Sequence, residues 1–352
     1  MSFSDHYLFI KRCFDLAKLG IGKVSPNSMV GAVIVHQNKI IGEGYHFTDN
    51  SPQAEVLAIE DVPAHKHILL KESTIYIASE PYYIYEKTLS RIDLILKHKI
   101  PKVVISWLDH KPEISEPIVK ILREAGLEVI TNILPREGRF VRVLGNTFIQ
   151  KKPPYIILKY AQTLDGFLAP KNTKQFWISN SFSKRLVHKW RSEIDAILVG
   201  TNTALNDNPQ LDNRLYFGKS PLRIIFDQHN RLPIQLNIFD GKHNTLIINK
   251  NSDPRKYVSQ LQLTFDMQML PKLLTYLHSQ NISSLLVEGG AKVLQAFVQH
   301  DLWDEARILV GNKLLKDGLK APLLPNAPDE KYKIFDDQLF IHYNPTKNFN
   351  NS

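Results

Sequence analysis

The sequence has a single cysteine, Cys13, among its 352 residues. One cysteine excludes an intrachain disulfide, and it excludes any zinc site that draws several cysteines from the same chain. Cys13 lies in a segment whose apolar residues recur with helical spacing, so we expect it to be an inert core residue. The sequence therefore predicts neither a disulfide-stabilised scaffold nor a cysteine-rich metal centre.

Long apolar runs and long runs of one charge are also missing. No segment approaches the roughly 18 consecutive apolar residues that a membrane helix needs. Residues 1–6 lack the basic and apolar regions of a secretion signal, so we expect a cytoplasmic protein without a membrane contact. Lys and Arg outnumber Asp and Glu by 44 to 35, but they are spread thinly. Such a surplus suits nucleic acid and anionic small molecules such as nucleotide phosphates equally, and the thin spread of the basic residues disfavours nucleic acid as a partner.

The length is sufficient for two domains, each with its own core. The segment Lys151-Lys152-Pro153-Pro154 is the best boundary, because prolines remove backbone donors and disfavour a helix just before them. We therefore predict one domain over residues 1–150 and a second over residues 151–345.

Strand-like and helix-like segments alternate in both domains, which indicates a layered α/β fold. In the first domain we predict helices at 5–20, 52–61 and 113–125 and strands at 29–35, 40–45, 74–78, 102–107 and 128–130. In the second domain we predict helices at 181–192, 271–280 and 291–298 and strands at 155–159, 196–199, 222–226, 245–248 and 284–287.

Three local patterns follow one another in the first domain: residues 25–35 (SPNSMVGAVIV), 42–46 (GEGYH) and 53–56 (QAEV). Their order resembles the cytidine-deaminase-like domain of the bifunctional riboflavin-biosynthesis deaminase/reductase, the RibD family. The resemblance implies a three-layer α/β domain. Members carry a His-Ala-Glu helix and a Pro-Cys…Cys segment. The His and both Cys bind zinc, while the Glu shuttles protons for the metal-bound water.

This chain departs from that pattern at each ligand. Gln53 stands at the histidine position, Tyr82 follows Pro81 where the first cysteine is expected, and Arg91 falls at the second cysteine position. Glutamine is a poor zinc ligand, and arginine is a permanent cation that repels metal. We therefore predict no zinc and an inactive deaminase half. Glu55 remains, and without an activated water we expect it in a solvated or hydrogen-bonded structural position.

Five motifs in the second domain continue the resemblance. They are residues 159–166 (KYAQTLDG), 176–179 (FWIS), 191–200 (RSEIDAILVG), 203–214 (TALNDNPQLDNR) and 287–291 (VEGGA). In this order they resemble the reductase half of the RibD family. The resemblance implies a dihydrofolate-reductase-like α/β domain with NADPH across the carboxyl ends of the strands. It also implies reduction of the ribose of 5-amino-6-(5-phosphoribosylamino)uracil to a ribityl chain.

The segment Glu288-Gly289-Gly290-Ala291 has the chemistry that such a cofactor needs. Glycines let the backbone approach a ligand closely, and free N–H groups at a helix start suit phosphate. The sequence contains no GxGxxG pattern, so it lacks the dinucleotide-binding motif of a standard Rossmann fold. The preference for NADPH over NADH is implied by the resemblance alone.

The resemblance also assigns individual residues. Lys159 is expected beside the reacting carbon and Asp207 beside the nicotinamide or its ribose, although either could instead form a structural ion pair. Arg191 and Arg214 match substrate positions, and their forked donors suit a phosphate. The expected substrate-binding residues are Gln175, Arg191, Leu211, Arg214 and Glu288, of which Gln175 replaces a usual small hydroxyl residue. The expected cofactor-binding residues are Gln162, Trp177, Thr203, Asp207, Gly290, Ala291, Lys292, Val293, Leu294, Gln295 and Ala296.

Three alternatives stay open. The chain could retain both activities, with deamination running without the usual ligands. It could bind RNA through its basic charge, which would make binding steeply salt-sensitive. A different metal site could use His46, His65, His67 or His98. Family precedent implies a homo-oligomer, a dimer or a tetramer, and it leaves the first domain a structural or partner-binding role.

Overall fold

The computed structural model describes residues 3–21, 29–48, 51–79, 92–106, 119–133, 153–171 and 176–347. The chain divides into two compact units that separate between Gln150 and Lys151. In the described ranges no helix is long and apolar enough to cross a membrane.

The first unit is built on a mixed sheet. Its described strands have the order β2-β1-β3-β4-β5, with β1 antiparallel to both its neighbours and β3, β4 and β5 parallel. The strands are β1 (Gly31–His36), β2 (Lys39–Tyr45), β3 (Thr74–Ile77), β4 (Lys102–Ile105) and β5 (Glu128–Thr131). The helices are Phe3–Lys18, Ala54–Glu60, the 3₁₀ helix Ala64–Glu72, and the helical residues 92–97 and 119–124.

Local chemistry explains the β1–β2 hairpin. Gln37 and Asn38 form its two-residue turn with φ of 47° and 60°, the left-handed pair that matches the strand twist in such hairpins. Gly42 and Gly44 of β2 lie against the backbone of the helix Ala54–Glu60, where a Cβ on either would strike backbone atoms of that helix. The two glycines therefore let this helix pack directly on the sheet.

The lone cysteine belongs to the core of this unit. Cys13 is fully buried, and its Sγ donates to the backbone oxygen of Tyr76 at 3.4 Å. Burial raises the pKa of the thiol, which keeps it protonated and unreactive. The expectation that Cys13 is a core residue is confirmed.

The second unit contains a larger sheet. Its described strands have the order β11-β10-β9-β8-β12-β6-β13-β16-β15. Pairing is parallel from β11 through β13, and β16 and β15 are antiparallel additions at one edge. The strands are β6 (Tyr155–Thr163), β8 (Ala196–Val199), β9 (Leu222–Phe226), β10 (Thr245–Asn249), β11 (Ser259–Gln262), β12 (Ser284–Glu288), β13 (Glu305–Gly311), β15 (Glu330–Ile334) and β16 (Asp337–Tyr343). A small ribbon pairs β7 (Phe167–Ala169) with β14 (Leu319–Lys320).

Helices cover both faces of this sheet, as a parallel sheet requires. Leu273, Leu277 and Phe297 join one core cluster with apolar residues of the central strands. Val187 and Trp190 join a second cluster with Leu309 and the β16 side chains. The helices of this unit are Ser181–Glu193, Thr201–Asp207, Met269–Ser279 and Ala291–Gln299, with a 3₁₀ turn at Asn237–Phe239.

The predicted elements in the described ranges are present, with β8 and β9 at the expected residues. The prediction for β6 was too short, because the strand continues to Thr163 through the polar residues of the first reductase motif. The helix Thr201–Asp207 and strands β7, β11 and β13 to β16 were not predicted.

Candidate active site

A large cleft lies at the carboxyl ends of the central parallel strands of the second unit, where ligands bind in open α/β sheets. Its volume is about 1320 Å³. The ends of β6, β8, β9 and β12, the start of the helix Ala291–Gln299 and the segment after Thr201–Asp207 form its walls. Predicted site residues that line it are Lys159, Trp177, Arg191, Thr203, Asp207, Leu211, Arg214, Glu288, Gly290, Ala291, Lys292 and Val293.

Three charged side chains meet in this cleft. The parallel register of β6 and β12 pairs Lys159 with Glu288, and Lys159 Nζ lies 3.5 Å from Glu288 Oε2. Arg191, from the helix Ser181–Glu193, donates from Nε and Nη2 to the two carboxylate oxygens of Glu288 at 2.9 Å each. The side chains of all three are largely buried. We call these residues the Lys159–Glu288–Arg191 cluster.

The cluster sets its own charge states. Burial alone would raise the pKa of Glu288, but the charges of Arg191 and Lys159 outweigh it and hold this pKa at about 2. Burial lowers the pKa of Lys159, with Arg191 acting in the same direction and Glu288 opposing. The cluster therefore holds a permanent carboxylate beside an ammonium that gives up its proton more readily than a free lysine.

The turn between β12 and the helix Ala291–Gln299 requires glycine. Gly289 and Gly290 have φ of 94° and 66°. A Cβ on Gly289 would lie 3.0 Å from Cγ2 of Thr203, and one on Gly290 would lie 3.2 Å from its Oγ1. Thr203 therefore packs against the bare backbone of the turn, and the helix N-terminus lines the cleft beside it.

Asp207 ends the short helix Thr201–Asp207 and lines the cleft. Its carboxylate is exposed to the cleft, and partial burial raises its pKa. The next residue, Asn208, is left-handed with φ of 39° and is held by Asn237, which donates from both its backbone and side-chain nitrogens at 2.8 Å. Of the two residues for which a structural ion pair was the alternative, Lys159 pairs with Glu288, whereas Asp207 forms no ion pair with a described residue.

The two arginines that were expected to bind phosphate differ in what they already contact. Arg191 uses Nε and Nη2 on Glu288 and Nη1 on the backbone oxygen of Asp212 at 3.0 Å. Arg214 is more exposed and donates through Nη1 to the side chain of Asp212. Arg214 therefore keeps donors available for an anion, whereas Arg191 is committed to fixing Glu288.

Phe176, Trp177 and Lys184 form an aromatic and basic part of the cleft lining. Trp177 is 58% exposed, and Lys184 Nζ lies 4.8 Å from its ring centroid. Lys313 donates to the backbone oxygen of Trp177 and lies 5.7 Å from the ring of Phe176. An exposed ring beside cations suits a flat heteroaromatic group that carries phosphates.

Some predicted residues stand apart from this cleft. Gln162, Leu294, Gln295 and Ala296 are not among its lining residues, and the side chain of Leu294 is fully buried in the core. Gln175 lies outside the described residues.

Sequence reasoning missed His188, Asn208, Arg231 and Asn237, all of which line the cleft. The spacing in the sequence could have identified His188, because it precedes Arg191 by three residues on a predicted helix and both therefore lie on one helix face. Arg231 follows β9 in irregular structure and Asn237 begins a 3₁₀ turn, and the sequence carries no comparable periodicity at either residue.

Of the deaminase-like motifs in the first unit, Gln53 and Glu55 lie within the described residues. Gln53 directly precedes the helix Ala54–Glu60, and its side chain makes no capping hydrogen bond. Glu55 is 1% exposed, which excludes the solvated position and leaves the hydrogen-bonded one of the two that were expected. Tyr82 and Arg91 lie outside the described residues.

Two of the four histidines considered for another metal site, His67 and His98, lie close together. His67 Nε2 bonds the backbone oxygen of Val62 at 2.8 Å, and its ring lies 5.9 Å from that of His98. Burial and the neighbouring His67 lower the pKa of His98. Among the described residues no three His, Cys, Asp or Glu side chains form a group that could hold a metal ion.

Two family models match the chain. One describes the cytidine and deoxycytidylate deaminase zinc-binding region and matches residues 4–105. The other describes the RibD C-terminal domain and matches residues 154–330. Together they confirm the expected order of domains, a cytidine-deaminase-like domain followed by a reductase domain of the RibD type.

The chain also matches relatives along most of its length. The chain is 33% identical over 317 residues to the riboflavin biosynthesis protein RibD of Aquifex aeolicus, covering 88% of each chain. It resembles the solved diaminohydroxyphosphoribosylaminopyrimidine deaminase/5-amino-6-(5-phosphoribosylamino)uracil reductase of Thermotoga maritima with a TM-score of 0.85 and 32% identity, covering 97% of this chain and 99% of that one. Acinetobacter baumannii RibD matches with a TM-score of 0.81 and 26% identity over the same shares of both chains.

Proposed function

Because the chain belongs to the RibD family of riboflavin-biosynthesis proteins, we propose that its second unit is an NADPH-dependent reductase of 5-amino-6-(5-phosphoribosylamino)uracil and that its first unit has lost zinc-dependent deamination. The reductase proposal is carried by the Lys159–Glu288–Arg191 cluster. It places an ammonium and a fixed carboxylate in one cleft with a glycine turn and a helix N-terminus.

The residues of the cleft fit NADPH. The backbone N–H groups at the start of the helix Ala291–Gln299 and the side chain of Lys292 suit its phosphates. Trp177 offers an exposed ring, and Thr203 borders the glycine turn. NADPH, when bound, supplies the hydride. The preference over NADH, and contacts by Gln162, Leu294, Gln295 and Ala296, stay predictions.

The chain's own groups would then manage position and protons. Reduction of the ring-opened substrate adds a hydride at C1′ and a proton at the neighbouring nitrogen. Lys159 Nζ holds the proton for this step, and Glu288 orients the ammonium. Arg191 fixes Glu288, Arg214 binds the 5′-phosphate, and Asp207 aligns the nicotinamide or its ribose. Leu211 contributes main-chain contacts to the substrate.

The donor set of the first unit does not fit the family's zinc. An amide at Gln53 replaces an imidazole, and the sequence has Tyr82 and Arg91 where two thiolates are needed. Glu55 keeps its place in the helix after Gln53, which is the feature that favours the alternative of a bifunctional enzyme.

One preparation tests both halves of the proposal. The purified chain is assayed for NADPH oxidation with 5-amino-6-(5-phosphoribosylamino)uracil, for ammonia release from the aminated pyrimidine precursor, and for metal content. We expect oxidation with formation of the ribitylamino product, no ammonia and no stoichiometric zinc. Folded protein without NADPH turnover would refute the reductase, and ammonia release with stoichiometric zinc would establish the bifunctional alternative.

A further inference from the structure

A buried histidine connects the reductase cleft to a segment without regular structure. His188 lies on the helix Ser181–Glu193, is 2% exposed and lines the cleft. The backbone N–H of Arg214 donates to His188 Nδ1 at 3.2 Å. This bond ties the helix directly to Arg214, whose guanidinium is more exposed than that of Arg191.

The helix holds this segment at a second backbone point. Arg191, one turn after His188, donates from Nη1 to the backbone oxygen of Asp212 at 3.0 Å. Two side chains of one helix therefore hold the backbone of residues 212–214, one as a donor and one as an acceptor. Beyond Arg214 the segment closes on itself, since Asn213 contacts Ser220 Oγ at 3.0 Å and the backbone oxygen of Gly218 at 3.2 Å.

The hydrogen bond fixes the tautomer of His188. A backbone N–H can only donate, so Nδ1 must present its lone pair and the ring proton must lie on Nε2. Burial lowers the pKa of His188 to about 4, and the cations of Arg191 and Arg214 act in the same direction against Asp212 and Glu288. The imidazole therefore remains a neutral acceptor at ordinary pH.

We infer that His188 is a positioning residue of the reductase: its Nδ1 anchors the backbone of Arg214 and so fixes the guanidinium that binds the anionic 5′ end of the substrate. The inference rests on the proposed function for the identity of the substrate. The anchor itself is a property of the fold. Loss of this hydrogen bond releases Arg214 but leaves the Lys159–Glu288–Arg191 cluster in place. Substrate binding therefore weakens, while the rate of the chemical step does not change.

Two variants distinguish the loss of the hydrogen-bond acceptor at position 188 from a change in side-chain shape. In His188→Asn the amide oxygen stands near the place of Nδ1 and can accept the Arg214 N–H, whereas His188→Leu fills space without an acceptor. We expect His188→Leu to raise KM for the phosphorylated substrate about threefold to tenfold, the range for one lost hydrogen bond, with kcat unchanged. His188→Asn should restore KM to within about twofold of the wild type. Lys189→Leu, on the same helix and outside the cleft lining, is the control.

Amide hydrogen exchange provides a readout independent of turnover. The Arg214 amide should be protected in the wild type and in His188→Asn, and should exchange faster in His188→Leu. If the wild type shows no turnover but this pattern holds, the anchor stands and the proposed function fails. Equal protection and equal KM in the two His188 variants would overturn the positioning role. If His188→Leu does not fold, His188→Asn decides alone. An unprotected Arg214 amide in this variant, or a KM more than about twofold above the wild type, would also overturn the positioning role.

Discussion

Arg191 and Glu288 lie 97 residues apart in the sequence and form two parallel hydrogen bonds of 2.9 Å in the cleft. Their side chains are 12% and 9% exposed, so the pair lies almost entirely outside bulk water. A buried ion pair is favourable when its geometry is bidentate and its remaining donors are satisfied. Here the remaining Nη1 is satisfied by Asp212, and Lys159 adds a third charge.

Replacing Arg191 by lysine should weaken this pair although the charge is kept, because an ammonium cannot make two parallel bonds to a carboxylate. We expect the free energy of unfolding to fall by about 1.5–3 kcal/mol, the range for a lost hydrogen bond to a charged group. Urea denaturation measures it. Arg185→Lys is the matched control, since Arg185 is exposed on the same helix. Equal midpoints for the two variants would contradict the structural role of Arg191.

Lys159 should govern the alkaline limb of the pH–rate profile. Its ammonium is the form that holds a proton, and burial lowers its pKa. Activity should therefore be present at low pH and lost as pH rises, with a midpoint below the usual lysine value of about 10.4. Lys159→Met should lower kcat at least about 100-fold, the lower end for removing a general acid, and abolish the limb. Steady-state kinetics between pH 6 and pH 10 test this, and an unchanged limb in Lys159→Met would assign it to another group.

The effect of the glycine turn on NADPH binding can be separated from the loss of stability that backbone strain causes. Gly289 and Gly241 both have positive φ, 94° and 71°, but only Gly289 would place a Cβ against Thr203, since nothing lies within 4 Å of one on Gly241. Each alanine variant should lose about 1–3 kcal/mol of stability from strain. Only Gly289→Ala should also weaken NADPH binding, because the turn must shift away from Thr203. Fluorescence titration with NADPH measures this, and equal dissociation constants would show that the turn tolerates the shift.

The sequence predicted those parts of the site that depend on local pattern. The glycine turn follows an apolar strand and precedes a helix, so its place was readable from Val287 to Ala291. Lys159 was expected at the end of its strand, although β6 continues four residues further. Local spacing cannot show that β6 and β12 are neighbours, and that neighbourhood is what brings Lys159 to Glu288.

The remaining differences have the same origin. Arg191 stays a predicted substrate-binding residue, and nothing near it in the sequence reveals that its guanidinium donates to Glu288. Strand β13 has the composition of a buried strand, but its place between β6 and β16 depends on pairing with residues 150 positions earlier, as the contact of Tyr155 with Glu305 shows. Pairings of this kind are set by burial in the assembled sheet and not by short-range preference.

Restoring the family's donors should restore zinc binding to the first unit. The wild type and Gln53→His should carry no stoichiometric zinc after dialysis, because a histidine alone cannot replace two thiolates. The triple variant Gln53→His, Tyr82→Cys, Arg91→Cys should bind about one zinc ion per chain, since one imidazole and two thiolates with an open position are a catalytic zinc set. The control Gln53→Ala, Tyr82→Cys, Arg91→Cys has the thiolates without the imidazole and should bind more weakly. Metal analysis decides the matter, and one equivalent of zinc in the wild type would show that other residues of the chain hold it.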